Sequence, residues 1–116
     1  MSVAVPLIEL HDQVLRFGFH PYIVTVSGDF TPRVTSVRVS WEGTCLVAPA
    51  GRRTAAAIGA NDTVALLWPS PAPGEYALIV DGVAEIQETA PDGLRVSIQP
   101  AKAVLHVTSW SRTAPA

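Results

Sequence analysis

An all-β fold is predicted for this chain of 116 residues: a six-stranded antiparallel β-barrel with minor helices. Short apolar or alternating segments recur along it, with glycine- and proline-bearing turns between them. Strands so short leave sheet edges that closure into a barrel removes, which is why a barrel is expected rather than an open sheet. One domain, residues 1–116, is expected at this length, with a core that buries roughly 60 to 70% of the surface the unfolded chain exposes.

The elements follow in order. Leu7, Leu10, His11, Val14 and Phe17 recur at helical spacing, so residues 6–17 read as an amphipathic helix with Pro6 near its start and Gly18 just past its end. The barrel is expected over residues 21–108. YIVTVS (22–27) is β-branched and apolar, GDFTP (28–32) turns the chain, and RVTSVRVSW (33–41) alternates its sides. On that strand Thr35, Val37, Val39 and Trp41 suit a packed interior, while Val34, Ser36, Arg38 and Ser40 point the other way. Glu42-Gly43 makes a tight hairpin into TCLVA (44–48). A short alanine-rich helix is expected at about residues 53–60, followed by TVALLW (63–68) and the proline loop PSPAPG (69–74). Two longer strands complete the barrel, YALIVDGVAEIQE (76–88) and LRVSIQPAKAVLHV (94–107), and residues 109–116 read as a tail. Pro100 lacks the ladder N–H and should bend or break the last strand.

Composition narrows the function classes. Charged residues make up 16% and hydrophobic ones 48%, against about 25% charged in an ordinary soluble domain. A surface so poor in charge suits self-association, and a homodimer is expected. The net charge of −2, with no Lys/Arg run longer than Arg52-Arg53, gives no basic field for nucleic acid. Cys45 is the only cysteine, which excludes an intramolecular disulfide and a zinc site of several thiolates, and it reads as a small core residue. The start MSVAVPLIEL has no basic segment ahead of a long apolar run, and VALLW and YALIV are only five residues long. The chain therefore reads as cytoplasmic, with no membrane partner. His11, His20 and His106 lack metal-ligand spacing, and neither a Ser-His-Asp arrangement nor paired carboxylates are visible. No metal is expected and no catalytic side chain is assigned.

One stretch carries chemistry. VAPAGRRTAAAIGANDTVALLW (47–68) sets Gly51-Arg52-Arg53-Thr54 between a strand and a helix. The first turn of a helix presents unpaired N–H groups and the positive end of its dipole, and guanidinium adds a planar fork of donors matched to phosphate oxygens. Gly51 lets the backbone approach a ligand, and Thr54 offers a hydroxyl to that ligand or to the helix as its N-cap. A phosphate clamp and a merely solvated helix entrance both fit these residues. Arg38, mid-strand between Ser36 and Ser40, suits either a polar cofactor groove or a solvated outer face.

In these stretches the chain resembles the pyridoxamine 5′-phosphate oxidase-like family of flavin-binding split barrels, a superfamily that includes deazaflavin (F420)-dependent reductases. The resemblance spans about residues 19–88. FHPYIVTVSGDFTPRVTSVRVSWEG matches the first hairpins, GRRTAAAIGANDTVALLW the phosphate turn with its helix and strand, and YALIVDGVAEI the strand with a Gly-x-Ala-Glu ending. It implies an antiparallel split barrel that binds FMN, with F420 as the near variant, between the subunits of a homodimer. By position, Arg53 matches the family arginine that holds the cofactor phosphate, Thr54 the family lysine, and Ser36, Val37 and Arg38 the strand lying along the ring. Gly51 opens the turn, and Arg52 replaces a small residue. Thr54 in place of lysine removes a positive charge, which Arg52 or Arg38 is placed to supply. The chain ends shortly after its last strand, so the C-terminal segment that the true oxidase uses for pyridoxamine phosphate, and that specific activity, are not expected. Trp68 and Tyr76 flank the proline loop and suit the ring's open face or packing at the dimer seam. The implied function is hydride transfer to or from a small substrate by an FMN- or F420-dependent oxidoreductase. A cofactor-binding or structural dimer without turnover is the alternative.

Overall fold

The structure, a computed structural model, describes residues 1–89 and 93–108; the expected tail at 109–116 lies outside them. Eight strands form one antiparallel sheet: β1 (Ser2–Val5), β2 (Tyr22–Val26), β3 (Pro32–Ser36), β4 (Ser40–Glu42), β5 (Cys45–Pro49), β6 (Thr63–Trp68), β7 (Ala77–Thr89) and β8 (Gly93–His106). They lie in the order β3-β2-β6-β7-β8-β5-β4, with β1 also on β8. Strand β8 is shared along its length, pairing β5 from Ile98 to Arg95 and β1 from His106 to Ala103. Helix α1 (Leu10–Phe17) follows a 3₁₀ turn at Leu7–Glu9, and α2 (Arg52–Ala60) joins β5 to β6.

The expected class holds: a mostly antiparallel sheet of split-barrel type with two short helices. The count and the closure do not. Among the described residues there are eight strands rather than six, and the sheet is not a closed barrel, because β3 and β4 each end the ladder unpaired on one side. The segment read as one strand over 33–41 is two. After Ser36 the Val37 N–H donates to the Pro21 carbonyl at 2.9 Å and the Val39 N–H to the Phe19 carbonyl at 2.8 Å. These bonds draw residues 37–39 off the β2 ladder and carry the chain from one half of the sheet to the other.

Local chemistry accounts for the remaining elements. Leu10 and Val14 put the apolar stripe of α1 into the core, and Gly18 ends the helix at φ 97 with its N–H on the Val14 carbonyl. In the β2–β3 turn the Ser27 hydroxyl, and then Thr31, donate to the Asp29 carboxylate and pull its pKa down to about 2. Gly43 takes φ 63 in the β4–β5 hairpin. Pro100 does not break β8. The register slips there, from Asp81 opposite Lys102 to Gly82 opposite Pro100, leaving Ala101 as the extra residue of a bulge. A Cβ on Gly82 would stand 2.7 Å from Ile98 Cγ2 and 2.8 Å from the Gln99 carbonyl oxygen, so the position opposite the proline requires glycine.

The core lies under the centre of the sheet, where Ile23, Leu46, Leu66, Leu78, Val80 and Ile98 are fully buried. Ala57 and Ile58 close α2 down on it against β2, β7 and β8. Cys45 is not a core residue: it is partly exposed, and its thiol donates to Gln99 Oε1 at 3.2 Å. Leu46 and Ala48, its alternating neighbours on β5, take the inner side. No helix among the described residues is long and apolar enough to cross a membrane.

Candidate functional site

The α2 turn is built from the end of β5. Its approach is pinned to β8 by the Ala50 N–H, which donates to the Leu94 carbonyl at 2.9 Å. Gly51 is the N-cap, in extended backbone at φ −77 and ψ 167, and no side chain caps the helix. That conformation suits any residue. The space beside it is open, since a Cβ at 51 would meet nothing within 4 Å. Arg52 and Arg53 are exposed at the first two helical positions, and the first turn holds no acidic residue. Thr54 is half-buried at the third helical position and so is not the N-cap. Among the described residues, the backbone N–H groups of Arg52, Arg53 and Thr54 have no hydrogen-bond partner, the first intrahelical bond being from Ala55 to the Gly51 carbonyl.

The crossover supplies the second part. Ser36 is exposed at the end of β3, Val37 is half-buried against the core, Arg38 is exposed, and Val39 is buried. The predicted alternation of sides therefore holds from Ser36 to Trp41 but not in β3, where Thr35, expected inside, is exposed like Val34 and Ser36. Arg38 borders two grooves. One of about 630 Å³ runs past Phe19, His20, Ser40 and Trp41. The other, about 470 Å³, follows Val47, Ala48 and Pro49 toward Leu94 and Arg95. This second groove ends at Pro49, two residues before Gly51. Neither groove is lined by Arg52, Arg53 or Thr54, so the start of α2 and Arg38 are two separate cationic points.

Arg95 is a residue that the sequence reading passed over. Its guanidinium meets both oxygens of Glu42, at 2.9 and 3.0 Å, and its Nε donates to Gln87 Oε1 at 2.8 Å. This fork ties β4 to β7 and β8 beside the Arg38 groove. The alternation of Arg95, Ser97 and Gln99 with Leu94, Val96 and Ile98 marks its face in the sequence; its partner on β4 is a matter of tertiary pairing.

Trp68 cannot line an open face. It is 2% exposed, and its Nε1–H donates to the Gly18 carbonyl at 2.8 Å, fastening β6 to the end of α1. Trp68→Phe is expected to lose about 1 kcal/mol of stability, the net value of one such bond, measured as a lowered denaturant midpoint. Tyr76 remains exposed and borders a separate cleft of about 570 Å³ with Gln13, Arg16, Phe17 and Glu75. His11 stacks on Trp41 at 5.4 Å between ring centroids, and the His106 ring bonds the Ser2 hydroxyl at 3.0 Å. Among the described residues, no group of three or more His, Cys, Asp or Glu is placed to hold a metal ion.

Sheet order, crossover and helix position define the class of protein: the split β-barrel fold of the pyridoxamine 5′-phosphate oxidase-like proteins. A candidate pyridoxamine 5′-phosphate oxidase from Listeria innocua is similar at TM-score 0.68 and 20% identity, over 84% of this chain and 98% of that one. An F420 reductase is similar at TM-score 0.64 and 22% identity, over 79% and 94%. HutZ, a heme storage protein from Vibrio cholerae, is similar at TM-score 0.67 and 13% identity, over 86% and 94%. In sequence, the uncharacterized protein Mb0449c of Mycobacterium bovis is 40% identical over 58 residues, which are 48% of this chain and 41% of that protein. The match thus spans less than half the length of that relative. No family model matches the chain.

Proposed function

We propose that the chain is an FMN-binding oxidoreductase that holds the cofactor phosphate at the start of α2 and the ring along Ser36, Val37 and Arg38, in a homodimer whose second copy completes the site. The observation that carries this reading is the pair of exposed arginines over unpartnered N–H groups, in a first helical turn without an acidic residue. A phosphate fits that donor set. The N–H groups and the dipole favour its charge, the guanidinium of Arg53 matches its oxygens, and the open space at Gly51 admits it. The Thr54 hydroxyl stands where the related family has lysine, and Arg52 restores the missing charge. When bound, a flavin supplies the hydride transfer itself; the residues of this chain bind, orient and screen it. Val37, itself packed against the core, gives the ring a fixed surface rather than a mobile one.

The likeness to an F420 reductase supports F420 as the second reading. Titration of the full chain with FMN, riboflavin and F420 tests both. Tighter binding of FMN than of riboflavin is expected, and equal affinities, or no binding of FMN, contradict the proposal.

A further inference from the structure

The cleft of about 570 Å³ where α1 meets the proline loop takes no part in the cofactor site proposed above, since it is lined neither by residues 36–38 nor by the α2 turn. Two features make it a built cavity. The bond from Trp68 Nε1–H to the Gly18 carbonyl ties the start of the loop to the end of α1, and Pro69, Pro71 and Pro73 fix three backbone angles of the loop. The loop then closes in a turn in which the Glu75 N–H donates to the Ala72 carbonyl at 3.1 Å, with Gly74 at φ 82 after Pro73, the arrangement of a type II turn. Phe17 and Leu105, both partly buried against the core, give the cleft apolar lining. Arg16 from α1 and Glu75 from the loop add one charge of each sign, and both are exposed. Among the described residues the one ion pair is Arg95 with Glu42, so the charges of Arg16 and Glu75 are not spent on each other. A ligand with a single charge meets one opposite and one like charge here, whereas a zwitterion meets a complement at each. The volume lies within the roughly 300 to 1,000 Å³ that hold small molecules.

We propose that this cleft binds a small zwitterion with an apolar body, of which a free amino acid with a large apolar side chain is the simplest case. Arg16 holds the carboxylate, Glu75 holds the ammonium, and Phe17, Tyr76 and Leu105 cover the apolar part. Nothing in this site requires a flavin to be bound.

Calorimetric titration of the full chain with L-phenylalanine, 3-phenylpropanoate and phenethylamine is the test. The three share one carbon skeleton, while the second lacks the ammonium and the third lacks the carboxylate. L-phenylalanine is expected to bind about fivefold more tightly than either, the upper end for one exposed ion pair. Glu75→Gln is expected to abolish the preference over 3-phenylpropanoate, and Arg16→Gln the preference over phenethylamine, with circular dichroism unchanged because both side chains are exposed. L-phenylalanine affinity is expected to be the same with FMN present. Absence of L-phenylalanine binding, equal binding of the three compounds by the parent, or a preference that survives the substitution aimed at it overturns the proposal. Displacement of L-phenylalanine by FMN overturns it too, assigning the cleft to the cofactor. Failure of the parent to bind FMN defeats the flavin reading alone, because the three-compound comparison is made on the FMN-free chain.

Discussion

Arg53→Ala is expected to weaken FMN binding by roughly tenfold or more while leaving riboflavin binding almost unchanged. A phosphate carries between one and two negative charges at neutral pH, and each charge-assisted bond to it contributes on the order of 1.5 to 3 kcal/mol, of which about 1.4 kcal/mol is a factor of ten. Riboflavin has the ring without the phosphate, so a side chain that acts only on the phosphate leaves its affinity alone. Arg53 is exposed and makes no ion pair among the described residues, so the substitution removes no internal contact and the loss reads the ligand alone. Fluorescence titration of both flavins against parent and variant gives the comparison. Equal losses for the two flavins, or none, reduce the arginine pair to a solvated helix entrance.

Ile98→Ala is expected to cost about 2 to 5 kcal/mol of folding stability, the range for truncating a fully buried aliphatic side chain in a packed core. Ile98 is 0% exposed. It pairs in register with Leu46 on one side and Ala84 on the other, and its Cγ2 fills the space that Gly82 leaves open. The surroundings are strands on both sides, which cannot collapse into the cavity without breaking ladder bonds, so the cost should lie toward the upper part of that range. Urea denaturation reads it as a lower midpoint at unchanged slope. Val83→Ala, at an exposed position of β7, is the comparison and should stay within about 0.5 kcal/mol. A loss at Ile98 no larger than at Val83 contradicts the assignment of the core.

What could be read from the sequence was what local pattern determines. TVALLW at 63–68 is β6 to the residue, and the helix read over 6–17 is present as a 3₁₀ turn at Leu7–Glu9 and α1 at Leu10–Phe17, because an apolar stripe and the termination at Gly18 coincide within one segment, without a side-chain cap. What could not be read depends on partners far along the chain. β1 is four residues long and exists through its register with Ala103 to His106. The interruption at 37–39 follows from the carbonyls of Pro21 and Phe19, which no alternation pattern reveals. Pro100 is accommodated rather than disruptive because Gly82, on the neighbouring strand, allows the slip.

The candidate site divides the same way. Gly51, Arg52, Arg53 and Thr54 were legible as a helix entrance rich in donors, and Ser36, Val37 and Arg38 as alternating sides of one stretch. The structure places Thr54 three residues past the N-cap, Gly51, and it sets Arg38 at two grooves that Arg52, Arg53 and Thr54 do not line. Arg95 was missed because its importance comes from Glu42, which the fold, not the spacing, delivers to it.

Native mass spectrometry of the full chain incubated with FMN reports cofactor and assembly together, and so bears most directly on the account. Two chains carrying two FMN molecules are predicted; a single chain without bound FMN would contradict it.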